Sequence, residues 1–375
     1  MNSTTMRAVG VLPMKREVQL VEHQTPQISS DFDVKIRSLE VGICGTDKEI
    51  CHFVYGSPPE GFEYLVIGHE SLGEVIEVGS RVRHLKKGDL VVPSVRRPCP
   101  HPHCRSCRED RQDFCFTGDF TERGIKMTHG FMTEFYVDHE KFLTPVPHDL
   151  RDVGVLVEPL TVAEKGLEQA WQVQKRLPWI PKDAPADARG TGLRAVVVGA
   201  GPIGILGAML LVRHGFKTYV YSRSKKPNPK AELVESFGAT YISSESVTID
   251  ELADQVGNID LVYEGVGVSR ISYGVMRALG MNGVYVFTGI PAPHPAIEIE
   301  ADNIMRNMVL KNQAAVGTVN ADKKAFEDAI SDLGIFMKRW PRALKSLITG
   351  RYKLDNYKEL LLGDKNGIKN VIALD

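Results

Sequence analysis

The sequence has no excess of either charge. Its 375 residues carry 46 Lys plus Arg against 47 Asp plus Glu, a net charge of −1, with no basic tract. That excludes the electrostatic footprint of a nucleic-acid binder or of a protein held on an anionic membrane. The first twenty residues, MNSTTMRAVGVLPMKREVQL, lack the charged-then-apolar layout of a secretory signal, and their periodicity predicts strand. A cytoplasmic protein is the expectation. Internal repeats and low-complexity tracts are absent as well. Residues 195–212 (AVVVGAGPIGILGAMLLV) form an uncharged run of membrane-spanning length, but glycines break it. Four strand-like residues, a glycine-rich turn and an apolar helix read better as a buried parallel strand with its following helix, so no membrane span is expected.

Cysteine is scarce. There are six, and four of them fall within 99–115, in RRPCPHPHCRSCREDRQDFC, with His101 and His103 between them. In a reducing compartment, clustered cysteines are more often metal ligands than disulfides.

The length allows two or three cores, so two domains are the starting expectation. Residues 1–185 open with short Val-, Ile- and Gly-rich segments (DVKIRSLEVGICG, SLGEVIEVGS, GDLVVPSV), which predict a β-rich, partly closed barrel carrying the cysteine lobe at 96–116. A helix is predicted over 158–176. Residues 186–319 alternate strand and helix: RAVVVGAG, KTYVYSR, ATYISS, IDLVYEG, GVYVFTG and AAVGTV are six strands with crossover helices between them. That is the rhythm of a doubly wound parallel sheet, so the fold class is α/β. Residues 320–375 return to mixed character.

Gly199, Gly201 and Gly204 form G-x-G-x-x-G directly after a strand and at a helix start. The first glycine permits a tight turn, the second lets a pyrophosphate approach the backbone, and the third lets helix and strand pack closely. The helix N-terminus adds free N–H groups and partial positive charge. A dinucleotide is the implied cofactor. NAD-specific domains carry an acid about 20 residues beyond the turn. Here YVYSRSKKP offers Ser222, Arg223 and Ser224 instead, with Lys225 and Lys226 beyond. An acid would repel a 2′-phosphate, whereas Arg223 can pair with one. NADP is therefore expected to be preferred, with NAD tolerated.

Three segments of the first domain hold further ligand-type residues: GICGTD with Cys44 and Thr46, GHE with His69 and Glu70, and VLVEPL with Glu158. Taken singly, each has a plain structural reading: a core cysteine, a turn histidine, an acid at a helix start. Cys51 has no visible partner and reads as packing.

Together with the glycine turn, these segments resemble the zinc-dependent medium-chain dehydrogenases over nearly the whole chain. VRRPC, FTERGIKMTHGFMTEF, EPLTVAEKGLEQA and VGTVNAD are most similar to their glucose dehydrogenase branch. The resemblance implies a GroES-like catalytic domain, a six-stranded Rossmann domain, and a C-terminal segment that rejoins the catalytic domain. It implies two zinc ions per chain. Cys44, His69, Glu70 and Glu158 would serve the catalytic one, with Thr46, Glu70 and Glu158 in catalysis. The structural zinc would take Cys104, Cys107 and Cys115. The usual C-x2-C-x2-C-x7-C spacing puts His101 in the first position, and Cys99 sits two residues early. Zinc accepts thiolate or imidazole, so either can be the fourth ligand. Cys99 is preferred because the prolines at 98, 100 and 102 can form an extended arm that reaches back.

Cofactor contacts are implied at Gly199, Gly201, Pro202, Ile203, Gly204, Ser222, Arg223, Ser224, Thr288, Gly289, Ile290, Thr318, Val319 and Asn320. Substrate contacts are implied at Thr46, Glu122, Glu158 and Asn320. Val95 stands where some relatives carry a polar sugar contact. The expected reaction is oxidation of an aldose, glucose first, at C1 to the lactone, by a homodimer or homotetramer. A polyol or amino-alcohol dehydrogenase and a non-catalytic nucleotide-binding relative are the alternatives.

Overall fold

The structure is a computed structural model that describes residues 4–180 and 184–374. The chain divides into two compact units. One runs to Thr161 and takes back Asn320–Met337 and the segment from Leu344 onward. The other comprises Val162–Val319 and Lys338–Ala343.

The first unit is built on antiparallel β-structure. Among the described residues its main sheet runs in the order Leu143–Val146, Leu90–Pro93, Glu70–Val78, Asp33–Gly42, Lys369–Ala373, Ile348–Lys353, and Phe135–His139 also pairs with Asp33–Gly42. The strand from the C-terminal segment lies beside Asp33–Gly42 in the register Val371↔Gly42, while Gly42 faces Glu70 across its other edge. A second sheet joins Glu17–Gln24, Thr5–Leu12 and Leu65–Val66. Alternating Val and Ile side chains from these strands, such as Val9, Val11, Val34, Ile36 and Val41, fill one apolar core. That core also takes in Cys51, which is 1% exposed and whose thiol burial pushes up to about 12. Cys51 is packing.

The second unit holds a six-stranded, all-parallel sheet. Its order is Thr240–Ser243, Lys217–Ser222, Arg194–Val198, Leu261–Glu264, Val284–Phe287, Ala314–Gly317. This is the doubly wound arrangement expected from the alternating pattern. The apolar run at 195–212 divides into the strand Arg194–Val198 and the helix Pro202–Arg213. Among the described residues no helix is long and apolar enough to cross a membrane. The helix predicted over 158–176 is Val157–Gln174.

Candidate functional site

The glycine turn has the geometry its sequence implies. Gly199 has φ +102°, a conformation that strains other residues. A Cβ at Gly204 would collide with the carbonyl oxygen of Gly199, so strand and helix can meet only at glycine. At Gly201, the N-cap of helix Pro202–Arg213, a Cβ would touch no protein atom within 4 Å. That open space above a helix N-terminus suits a pyrophosphate group. The next loops are tied from below by Glu264, which is 1% exposed. Its Oε1 accepts from the N–H groups of Val266 (2.9 Å) and Gly267 (2.8 Å), and Oε2 from Gly289 N–H (3.2 Å). Thr288 donates its hydroxyl to the Glu264 carbonyl (2.7 Å), and Ile290 and Val319 lie exposed. The Thr318 hydroxyl oxygen is buried without a partner among the described residues, a polar atom left for a ligand.

Ser222 and Ser224 use their carbonyls to accept from Ser244 N–H and the Tyr241 hydroxyl, both at 2.9 Å. The side chain of Arg223 is 88% exposed, and Lys226 pairs with Glu235. No acid stands near Arg223 in sequence, but Glu245 Oε1 lies 3.8 Å from its Nε. The neighbouring strand ends in register with Ser222, at Ser243, and its exit turn brings the acid round.

In the first unit, Cys44, His69 and Glu70 bring their ligand atoms within 4.8 Å of one another. Cys44 caps the short helix Gly45–Cys51, and Asp47 Oδ2 accepts its backbone N–H at 2.9 Å. Asp47 is wholly buried, and its Oδ1 lies 3.2 Å from His69 Nδ1, with Cys44 also close to the imidazole. Burial alone would lower the imidazole pKa, but Asp47 and then Cys44 hold it well above the usual value.

Glu70 is 1% exposed and receives Lys369 Nζ on both oxygens, at 2.7 and 2.5 Å. Lys369 also donates to the Ile43 carbonyl at 3.1 Å. Gly42 leaves the room for this pair, because a Cβ there would collide with Glu70 Oε2. Glu158, at the start of helix Val157–Gln174, lies outside the group defined by those mutual distances. It still feels His69, Glu70, Lys369 and Asp47: burial, opposed by His69 and reinforced by Glu70, pushes its carboxyl up to about 7. A thiol, an imidazole and two carboxyl groups, one of them raised to about 7 by burial and by its neighbours' charge, fit a divalent cation, which would favour the ionised carboxyl. Thr46, partly buried, stands beside the Tyr55 hydroxyl.

The sulfurs of Cys99, Cys104, Cys107 and Cys115 likewise lie within 4.8 Å of one another. All six cysteines are free of disulfides. Cys104 Sγ and Cys115 Sγ are 3.9 Å apart, and Cys107 Sγ accepts from Cys99 N–H at 3.4 Å. Four convergent sulfurs with no open position match a structural zinc site. His101 stands apart, with its Nε2 on Asp119 at 2.5 Å.

Glu122 and Arg123 are neighbours in sequence but take different partners. Arg123 donates to the carbonyls of His129 and Val137 and faces Asp138. Glu122 Oε1 instead accepts from Arg96 Nε (3.0 Å) and Asn320 Nδ2 (2.9 Å). Asn320 has φ +61°. Val95 is 3% exposed and its carbonyl accepts from Arg123 N–H.

Two family models match the chain: the alcohol dehydrogenase GroES-like domain over residues 30–148, and the glucose dehydrogenase C-terminus over 151–374. A glucose 1-dehydrogenase of Methanocella arvoryzae is 36% identical over 370 residues, covering 98% of this chain and 99% of that protein. The chain belongs to the glucose 1-dehydrogenase branch of the zinc-dependent medium-chain dehydrogenases. Glucose 1-dehydrogenase 1 of Caldivirga maquilingensis is 36% identical over 373 residues, 99% of each chain. The structure of Haloferax mediterranei glucose dehydrogenase in complex with NADP, Zn and gluconolactone superposes with a TM-score of 0.86 at 33% identity, covering 98% of this chain and 99% of that one. The protein is an NAD(P)-dependent enzyme of the glucose 1-dehydrogenase type. Galactitol-1-phosphate dehydrogenase of Escherichia coli, at 21% identity and a TM-score of 0.77, shares the fold.

Some residues of the site escaped the sequence. Asp47 carried a signal, standing three residues after Cys44 at a helix start in GICGTD, the spacing of a reciprocal cap. Lys369, Arg96, Glu264 and Glu245 carried none, since their partners are set by strand pairing and loop geometry.

Proposed function

We propose that the protein oxidises an aldose, glucose first, at C1 to the aldonolactone, with hydride transfer to NADP in preference to NAD and with two zinc ions per chain. The observation that carries this reading is the Glu122–Asn320 pair, a carboxylate and an amide in the unit that also holds Cys44, His69, Glu70 and Glu158. Sugar hydroxyls need paired donors and acceptors, and a site built for them rejects analogues that leave a buried partner unpaired.

Cys44, His69, Glu70 and Glu158 would hold the catalytic zinc, which when bound lowers the pKa of the sugar hydroxyl. Asp47 orients the imidazole of His69. Thr46 is the first carrier of the hydroxyl proton on its way out, and Glu158 lies beside the reacting carbon. The glycine turn, Pro202, Ile203, the Thr288–Ile290 and Thr318–Asn320 loops, and the Ser222–Ser224 segment hold the dinucleotide, with Arg223 on the 2′-phosphate. Cys99, Cys104, Cys107 and Cys115 hold the structural zinc.

Six reduced cysteines suit a cytoplasmic protein. A homo-oligomer is supported by the outer strand Ala314–Gly317, paired on one side only among the described residues, and by the helix Ala301–Leu310, whose Met305, Val309 and Leu310 are 64, 71 and 62% exposed. A second copy covering that edge removes both liabilities. The test is an aldose and polyol panel with both nicotinamide cofactors. The proposal requires kcat/KM to be highest for an aldose with NADP, and a preference for polyols would refute it.

A further inference from the structure

Glu122 is held by one oxygen. Arg96 donates from Nε to Glu122 Oε1 at 3.0 Å and sets Nη2 3.0 Å from the same atom, and Asn320 Nδ2 adds a third contact at 2.9 Å. Oε2 has no hydrogen-bond partner among the described residues, and the side chain is 12% exposed. One oxygen is therefore anchored, and the other is left as an acceptor for a ligand.

Arg96 is 6% exposed and spends its third nitrogen elsewhere. Nη1 donates to the Asp113 carbonyl at 3.1 Å, in the turn Gln112–Phe114 that leads into Cys115. The guanidinium also lies 3.7 Å from the centre of the Phe120 ring. From Asp113 the contacts continue. Arg111 grips its carboxylate at 3.0 and 2.9 Å and reaches Asp322 at 3.2 Å. Asp322 lies two residues beyond Asn320 and accepts from Ala325 N–H at 3.0 Å. The chain of contacts closes: Asp113, Arg96, Glu122, Asn320, Asp322, Arg111 and Asp113 again. It links the four-cysteine lobe, the strand pair at Arg96 and Glu122, and the segment that returns at Asn320.

We propose that Arg96 is the positioning residue of the sugar site. It holds Glu122 with two nitrogens and the cysteine lobe with the third, so that an ordered lobe becomes a condition of tight sugar binding. The inference rests on the reading of Glu122 as a sugar contact. The planar fork of arginine meets both demands at fixed angles, which a lysine ammonium cannot do. A carboxylate released from the fork turns freely, and each sugar hydroxyl it then fails to meet weakens binding.

The experiment is a double-mutant cycle on the full-length, zinc-loaded enzyme, with D-glucose as the probe. Glucose KM, kcat and NADP KM are measured for Glu122→Gln, Arg96→Met, Arg96→Lys and the Arg96→Met/Glu122→Gln pair. Each of the first two raises glucose KM by about tenfold, the scale of one lost hydrogen-bond partner, and leaves NADP KM unchanged. In the Glu122→Gln background, Arg96→Met adds less than about twofold, because Arg96 acts through Glu122. Arg96→Lys recovers only part of the affinity. If Arg96→Met does not fold, Arg111→Met opens the ring away from Glu122, and a raised glucose KM at unchanged NADP KM is expected. Full additivity overturns the proposal, as does a raised KM in Glu122→Gln with none in Arg96→Met or, where that variant does not fold, none in Arg111→Met. An unchanged KM in Glu122→Gln removes the sugar reading itself, and the proposal with it.

Discussion

Replacing Lys369 with Met removes half of a buried ion pair. The side chains of Lys369 and Glu70 are 2 and 1% exposed, and the ammonium reaches both carboxylate oxygens and the Ile43 carbonyl. Burial works against the charge on Lys369, but Glu70 and then Cys44 raise its pKa above the usual value. Methionine fills most of the volume, yet it leaves the Glu70 carboxylate buried without its cation. Breaking such a pair from one side costs about 3–5 kcal/mol. At roughly 2–4 °C per kcal/mol for a unit of this size, Tm should fall on the order of 10 °C. Lys369→Met/Glu70→Gln removes both charges and should recover much of the loss, since a buried pair contributes little over a neutral replacement. Thermal melts of the full chain, chelator-treated and zinc-loaded, are the assay. The loss should be larger in the chelated protein, where nothing else neutralises Glu70. A raised lysine pKa contributes stability that is present below its unfolded value and lost as pH rises through the folded one, so the wild-type advantage should disappear in strong alkali. A cost under about 1 kcal/mol for the single variant, or a double variant no better than the single, would refute the reasoning.

Three further outcomes are expected. Gly201→Ala should abolish dinucleotide binding and leave the Tm of the free protein unchanged, whereas Gly204→Ala should lower both, because only its Cβ meets the Gly199 carbonyl; fluorescence titration and thermal melts separate the two. His129 is pushed down to about 3 by burial and by its neighbours His23 and Arg123, and its Nδ1 accepts from Val66 N–H. It stays neutral when folded but protonates when unfolded, so stability should be lost as pH falls from about 6.5 towards 3, and His129→Gln should flatten that part of a denaturation-versus-pH curve. Arg223→Ala should cut kcat/KM for NADP by at least about tenfold with little change for NAD, while Glu245→Gln should raise it about two- to fivefold by removing a negative charge beside the 2′-phosphate; both effects should shrink in high salt.

The Rossmann sheet could be read residue by residue because buried parallel strands are continuous apolar runs, and Val196–Val198 or Val284–Phe287 admit few other readings. The metal-type residues were visible as residues, and the four sulfurs and the Cys44–His69–Glu70 group come together as their types suggested. What escaped depends on register. Glu122 stands next to Arg123 in sequence, but antiparallel pairing sets Arg96 opposite it. Lys369 meets Glu70 because two strands flank Asp33–Gly42, one from each half of the chain. Glu245 approaches Arg223 across a parallel pair. None of these contacts leaves a local pattern, because each partner is chosen by a strand distant in sequence.

The proposed zinc-dependent oxidation of an aldose is tested directly by one measurement. Wild-type protein and Cys44→Ala are given D-glucose and NADP, reduced cofactor is followed over time, and zinc is counted in the same samples. Gluconolactone and reduced NADP are expected in equal amounts from a wild-type chain holding two zinc ions, and no turnover from a folded Cys44→Ala chain holding one zinc. Undiminished glucose oxidation by Cys44→Ala, or by protein stripped of both ions, would contradict the proposal.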